Sequence, residues 1–199
     1  MLRRVSKLHI GIDLDNTVLD ATTAHLTCYN KVSGLSLTAE DVSDFYIYRM
    51  YGWDQAERNQ IYHRHGHDIH SSSVPYPLAP ETIRNLYSKH QITIMTARPA
   101  MFRDVTVKWL DAYGIPYHNI VFTENKRLEC EAASVDVLID DAPHYANEFA
   151  LLNRPYFLFH QPYNTTVQHE QVRRIFHWSE VEGQLALINS ILSSQSPIP

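Results

Sequence analysis

Five short runs of mostly apolar, β-branched or aromatic residues punctuate the chain: Leu8 to Asp13, Ile92 to Thr96, Asn119 to Thr123, Val135 to Asp140 and Tyr156 to His160. Each is too short for a helix and nearly continuous in its apolar character, the pattern of a strand buried on both faces. Between them the spacing becomes helical. Helices are predicted from about Asp20 to Lys31, from Pro80-Glu81, from Pro99, after Lys126 and after Pro143, prolines being well suited to a first helical turn. A closing helix is marked by the capping-box pattern Ser179-Glu180-Val181-Glu182 and by the stripe Leu185, Leu187, Ile188, Ile191 and Leu192. The tail from Ser193 to Pro199 is expected to fray. Strands that alternate with helices predict an α/β fold, with a mostly parallel sheet covered on both faces.

The segment from Ala21 to Leu78 breaks this alternation. Its pattern is helical and aromatic (Phe45, Tyr46, Tyr48, Tyr51, Trp53, Tyr62), with no convincing buried strand. It reads as a helical subdomain, residues 21–78, inserted into a core made of residues 1–20 and 79–199. The Ser- and Pro-rich stretch SSSVPYPLAP (Ser71 to Pro80) is suited to the returning connector. No internal repeat is present.

Composition narrows the partners. A chain of 199 residues with 44% hydrophobic content supports one sizeable core and a small insert. With 17 Lys plus Arg against 22 Asp plus Glu, the net charge of -5 leaves no basic excess for a nucleic-acid polymer or an anionic membrane. Cys28 and Cys130 form no metal-type pair and suit reduced thiols in a cytoplasmic protein. Arg3, Arg4 and Lys7 precede an apolar stretch, but Asp13 and Asp15 interrupt it and no cleavage site follows, so no signal peptide is read. No stretch approaches a membrane-spanning length.

In a parallel open sheet, ligands bind outside the carboxyl ends of the strands. Those ends carry Asp13 and Asp15, Thr96, and Asp140 with Asp141, while Lys126 opens the helix after the third strand. Crowded carboxylates repel, and burying them unpaired is costly, so the cluster calls for a cation. An all-oxygen, partly hydrated ligand set suits Mg²⁺ better than Zn²⁺. An anion beside it would also meet Lys126, the Thr96 hydroxyl and the backbone N–H groups after Asp13. Metal, ammonium and amides together describe a phosphate site.

DLDNT, the strand-end Thr of TIMTARP, the isolated Lys126 and the LIDD stretch resemble, in the same order, the four motifs of the haloacid dehalogenase-like (HAD) phosphohydrolases. The strings TARP and LIDD-x-P are most similar to the 5′(3′)-deoxyribonucleotidase type and its uncharacterised bacterial relatives. The resemblance covers about Leu8 to His160 and implies a Rossmann-like three-layer core, with the insert as a C1-type cap. It implies Asp13 as the nucleophile that becomes an aspartyl phosphate, and Asp15 as the general acid and then base. Thr96, Lys126 and the backbone of Leu14, Asp15 and Ala97 would bind phosphate. Mg²⁺ would be held by Asp13, the backbone carbonyl of Asp15 and Asp140, with Asp141 acting through water. An acid at Asp15 marks the phosphatase branch rather than the dehalogenases. The implied substrate is a small phosphomonoester: a nucleoside 5′-monophosphate, deoxyribonucleotides included, or alternatively a sugar phosphate or other metabolite. A non-catalytic phosphate-binding regulator and a phosphotransferase are the readings of another kind. The oligomeric state stays open, a homodimer included.

Each residue also has a plainer reading. A lone D-x-D is often a turn, Thr96 a β-former, Lys126 a solvated helix residue, and Asp140-Asp141 a helix cap. The run His63 to His70 holds four histidines at alternating spacing and reads as an exposed helix end and loop rather than a zinc site. Arg98 and Arg103 could meet a phosphate or pair with carboxylates. Phe45, Tyr48, Trp53 and Tyr62 could stack on a base or form the insert's own core.

Overall fold

The computed structural model describes residues 7–195, with side chains described as far as Ser190. The expectations for Arg3, Arg4, residues 196–199 and the Ile191 and Leu192 side chains lie outside the described residues. Strand β1 (His9–Ile12) leads through a tight turn and the two-residue β2 (Leu19–Asp20) into α1 (Ala21–Ser33). Two 3-10 turns (Ala39–Asp41, Ile47–Tyr51) connect it to α2 (Gln55–Ser72), and β3 (Val74–Pro75) returns the chain. Then follow α3 (Ala79–Tyr87), β4 (Gln91–Thr96), α4 (Arg103–Ala112), β5 (Asn119–Phe122) and α5 (Lys126–Ala132). The chain continues as β6 (Val137–Asp140), α6 (Pro143–Leu151), β7 (Tyr156–Phe159), β8 (Val172–Ile175) and α7 (Val181–Gln195).

Six strands form one sheet in the order β5-β4-β1-β6-β7-β8, every neighbouring pair parallel. The five predicted strands are all in it. The sixth, β8, does not show in the apolar pattern because its sequence is VRRI. It is an edge strand, where a charged side chain can turn outwards, and Arg174 caps the carbonyls of Asn164 and Val167 at 3.0 and 2.9 Å.

Alternation sorts the side chains between two cores. Ile92 and Ile94, Val137 and Ile139, Phe157 and Phe159 join one cluster with α3, α4 and α7, through Ile83, Trp109 and Leu185 among others. Met95, Leu138, Tyr156 and Leu158 join the opposite cluster with α5 and α6, through Cys130, Ala146 and Phe149. These are the three layers expected. The same parity carries Asp13 and Asp140 to the α5 side, one residue beyond the register pair Ile12–Ile139. Strand order reverses between β1 and β6, so this pair flanks the switch point where open α/β sheets bind ligands.

The helical segment has a core of its own, built from Ala24, Leu26, Tyr29, Tyr51, Tyr62 and Ile69 and extended by Phe102 from the main body. Asp20 caps α1 by accepting from Thr23 N–H at 2.9 Å, and Gly34 ends it in the left-handed conformation (φ 77°). Its strand is β3, with Val74 exposed and Pro75 half-buried, paired antiparallel with β2.

Two expectations are corrected. The capping box lies two residues earlier than Ser179-Glu182: Glu180 accepts from the backbone N–H of His177 at 2.9 Å, Ser179 sits inside the 3-10 turn Trp178–Glu180, and Glu182 pairs with Lys89 at 3.2 Å. The His63 to His70 run is not an exposed end and loop but continuous α2. His63 and His67 are exposed, whereas His70 is wholly buried and its Nε2 meets Tyr62 Oη at 2.7 Å.

Candidate active site

The DLDNT turn is held by the Leu14 carbonyl, which accepts from the N–H groups of Thr17, Val18 and Leu19 at 3.3, 2.9 and 3.1 Å. Asn16 takes a left-handed conformation (φ 58°), which asparagine tolerates better than most residues. Its Oδ1 accepts from Thr22 N–H at 2.9 Å and fastens the turn to α1. Asp13 is thereby fixed at the carboxyl end of β1, its own N–H bonded to Ile139 O at 2.9 Å.

Lys126 stands at the first position of α5, which Asn125 caps by accepting from Leu128 N–H at 3.2 Å. From there its Nζ reaches Asp13 Oδ1 at 2.6 Å and Asp140 Oδ2 at 2.7 Å. All three side chains are buried. Burial pushes the Asp13 carboxyl up to about 7 although Lys126 pulls it down. Burial opposes the charge on Lys126 as well, but Asp13 and Asp140 outweigh it and hold the ammonium well above its ordinary value. A solvated helix lysine would show neither burial nor two such bonds.

Asp15 faces a different partner. Arg98, 3% exposed, grips it with a bidentate fork, Nη2 to Oδ1 at 2.6 Å and Nε to Oδ2 at 2.8 Å. The third arm of the guanidinium donates to Thr106 Oγ1 at 3.1 Å. Burial alone would raise Asp15, but the Arg98 charge and its hydrogen bonds prevail and hold the carboxyl well below the usual range. Of the two arginines left open by the sequence, Arg98 thus pairs with a carboxylate, and Arg103 lies over the Phe122 ring, 4.5 Å from its centroid. Thr96 is wholly buried, and its hydroxyl accepts from Arg98 N–H at 3.2 Å. Leu14 is also wholly buried, while Ala97 is exposed to the site cavity.

Asp141 completes the rim. Tyr163 Oη donates to its Oδ2, and Thr17 Oγ1 lies 3.4 Å from Oδ1. Burial, reinforced by Asp140 and Asp13, raises its carboxyl well above the ordinary value. Capping does not explain the pair: α6 starts from Ala142 without a side-chain cap. Oxygens of Asp13, Asp140 and Asp141 lie within 4.8 Å of one another. Three like charges forced together in a buried, all-carboxylate site fit a hard divalent cation such as Mg²⁺. The Asp15 carboxylate is outside this group, which leaves only its backbone carbonyl for such an ion.

A cavity of about 410 Å³ opens over these groups, with Asp13, Asp15 and Lys126 at its base. The helical segment supplies the opposite wall, including Phe45, Tyr46, Tyr48, Gln55, Arg58 and Tyr62. The four aromatics left open by the sequence divide here. Trp53 stacks on Tyr51, with centroids 4.9 Å apart, inside the segment's core. Phe45, Tyr48 and Tyr62 line the cavity, although Tyr62 is mostly buried. The sequence reading missed Tyr163 and Thr106, which lie outside every motif, and gave no role to Asn16 although it stands inside DLDNT.

The model of the family described as 5′ nucleotidase, deoxy (pyrimidine), cytosolic type C protein matches residues 7–191. The chain belongs to this nucleotidase family. A nucleotidase of Clostridium acetobutylicum is 26% identical over 181 residues, which cover 90% of this chain and 94% of the relative. A haloacid dehalogenase-like hydrolase from Streptococcus pneumoniae superposes with a TM-score of 0.67 at 13% identity, over 89% of this chain and 98% of its own. A phosphonoacetaldehyde hydrolase-like protein from Oleispira antarctica gives 0.67 at 12%, over 100% of both chains. The chain thus carries the HAD fold, and it is a HAD-type hydrolase of the 5′-nucleotidase kind. Among the described residues no helix is long and apolar enough to cross a membrane.

Proposed function

We propose that the protein is a Mg²⁺-dependent phosphomonoesterase that hydrolyses nucleoside 5′-monophosphates, deoxyribonucleotides included, through an aspartyl phosphate on Asp13. The observation that carries this reading is Lys126 held between Asp13 and Asp140, with Asp141 beside them, at the base of a cavity walled by aromatic residues. Asp13 attacks phosphorus as the bond to the nucleoside oxygen breaks, and Asp15 gives that oxygen a proton. Asp15 then takes a proton from the water that splits the aspartyl phosphate, releasing phosphate and restoring Asp13. The Arg98 fork favours charged Asp15, the form the second half needs. Protonation of the leaving group works against that pull and is the step most exposed to Arg98.

Lys126 offsets charge on the phosphoryl oxygens, and the Thr96 hydroxyl, bonded through its oxygen to Arg98 N–H, keeps its own hydrogen for a phosphate oxygen. Backbone N–H groups of Leu14, Asp15 and Ala97 complete the cradle. Asp13, Asp140, Asp141 and the Asp15 carbonyl would hold Mg²⁺, which supplies charge stabilisation when bound. Residues 21–78 act as the cap that selects the substrate. A volume of about 410 Å³ falls within the ordinary range for small-molecule sites, and its wall of Phe45, Tyr46 and Tyr48 supports a flat, aromatic leaving group. Phosphate release from ribo- and deoxyribonucleotides and from sugar phosphates, with Mg²⁺ and with chelator, tests the reading. Asp13→Asn should reduce turnover to background while leaving the circular dichroism unchanged. A wild type with no Mg²⁺-dependent release from any nucleotide would sink it.

A further inference from the structure

The connection between β7 and β8 belongs to none of the four motifs, yet its sequence Gln161-Pro162-Tyr163-Asn164 is tied to two of them. Gln161 Nε2 donates to the Asn16 carbonyl at 2.7 Å. Asn164 Nδ2 donates to the Asp141 carbonyl at 2.8 Å and to the Phe159 carbonyl at 2.9 Å, while Asn164 Oδ1 accepts from Gln161 N–H at 3.1 Å and from Arg174 at 2.8 Å. Between them Tyr163 uses its hydroxyl in both senses, donating to Asp141 Oδ2 and accepting from Asn16 Nδ2 at 2.9 Å. Its ring packs edge-on against Phe45, with centroids 5.5 Å apart. The hydroxyl therefore has its direction fixed from both sides, and one oxygen of Asp141 is fixed with it.

A carboxylate free to rotate would present its oxygens to a cation only part of the time, and outer groups that orient metal ligands typically matter by about 10–100-fold in affinity. We infer that Tyr163 is a positioning residue for the metal site: its hydroxyl fixes the Asp141 carboxylate so that the remaining oxygen faces Asp13 and Asp140. The inference rests on the reading of that carboxylate group as a Mg²⁺ site.

Tyr163→Phe removes the hydroxyl and keeps the ring against Phe45. Mg²⁺ binding to wild type and variant, titrated calorimetrically without substrate, should show about 10–100-fold weaker affinity in the variant. Loss of nucleotide turnover at low Mg²⁺ should be recovered at high Mg²⁺. Equal affinities, or tighter binding by the variant, would overturn the inference, as would a drop in metal-free Tm with Mg²⁺ affinity unmoved. A wild type that binds no Mg²⁺ would instead overturn the metal-site reading itself. Should the phenylalanine variant fail to fold, Asn16→Ser, which removes the amide that orients the hydroxyl, should give a smaller loss of Mg²⁺ affinity.

Discussion

Replacing Lys126 with methionine keeps the stem and removes the charge that two buried carboxylates share. The ammonium lies 2.6 Å from Asp13 and 2.7 Å from Asp140, and the three side chains are 3%, 6% and 0% exposed. Breaking a buried ion pair by removing one partner costs about 3–5 kcal/mol, because a charge is left uncompensated. Here two are left, with Asp141 as a third neighbour, so the upper half of that range, about 4–5 kcal/mol, is expected above neutral pH. For a chain of this size that is a fall in Tm of roughly 8–20 °C. The orphaned carboxylates can escape by taking protons. Asp13, pushed up to about 7 by burial from an ordinary 3.8, already binds a proton in the native state where the unfolded chain has lost it. Its contribution to stability therefore falls as pH rises from about 4 to 7, and without Lys126 that window extends upward. The deficit of K126M should be largest above neutral pH and shrink towards about pH 5. Urea denaturation of chelator-treated wild type and variant across that range measures it, and added Mg²⁺ should recover part of the loss. A deficit equal at every pH, or one that grows towards the acid end, would refute the charge argument.

Arg98→Met leaves Asp15 without its fork. Since that carboxylate is 29% exposed, a loss of about 3 kcal/mol is expected, the low end for a broken buried pair. Because Arg98 depresses the Asp15 pKa, the loss should be full above about pH 4 and fade as pH falls through the folded value, which denaturation at graded pH would check. Gly66→Ala places a Cβ 2.3 Å from Phe102 Cζ. Overpacking of about 1–3 kcal/mol should outweigh the helix gain of about 1 kcal/mol, and Phe102→Leu should restore most of the difference in a thermal double-mutant cycle. A more stable G66A would show that α2 does not depend on this close approach.

Much of the sheet was legible because parallel strands buried on both faces are nearly continuous in apolar character: β7 is YFLF, and β6 is apolar up to Asp140. The edge strand β8 escaped because Arg174 satisfies neighbouring carbonyls and Arg173 meets Gln184 Oε1, which no periodicity registers. Asp13, Lys126 and Asp140 were legible since each stands at the end or start of a recognisable element. The role of Arg98 was not, because choosing between phosphate and Asp15 depends on where α4 holds Thr106. Tyr163 and Asn164 were invisible for a similar reason: they act across 22 and 23 residues of sequence, through hydrogen bonds that leave no pattern along the chain. The histidine run misled in the other direction, since exposed His63 and His67 hide the fact that His70, farther along the same helix, is buried against Tyr62 and Phe102.

The two-residue pairing of Leu19–Asp20 with Val74–Pro75 makes the helical segment leave and rejoin the main body at adjacent points. A segment whose ends are already joined can change length at little entropic cost, since closure depends only weakly on the number of residues enclosed. The wall of the cavity can therefore be exchanged for another, by duplication and drift or by grafting, while the chemistry at its base stays where it is. Under the proposed function, the choice of substrate and the cleavage of its phosphate would then be separate inheritances.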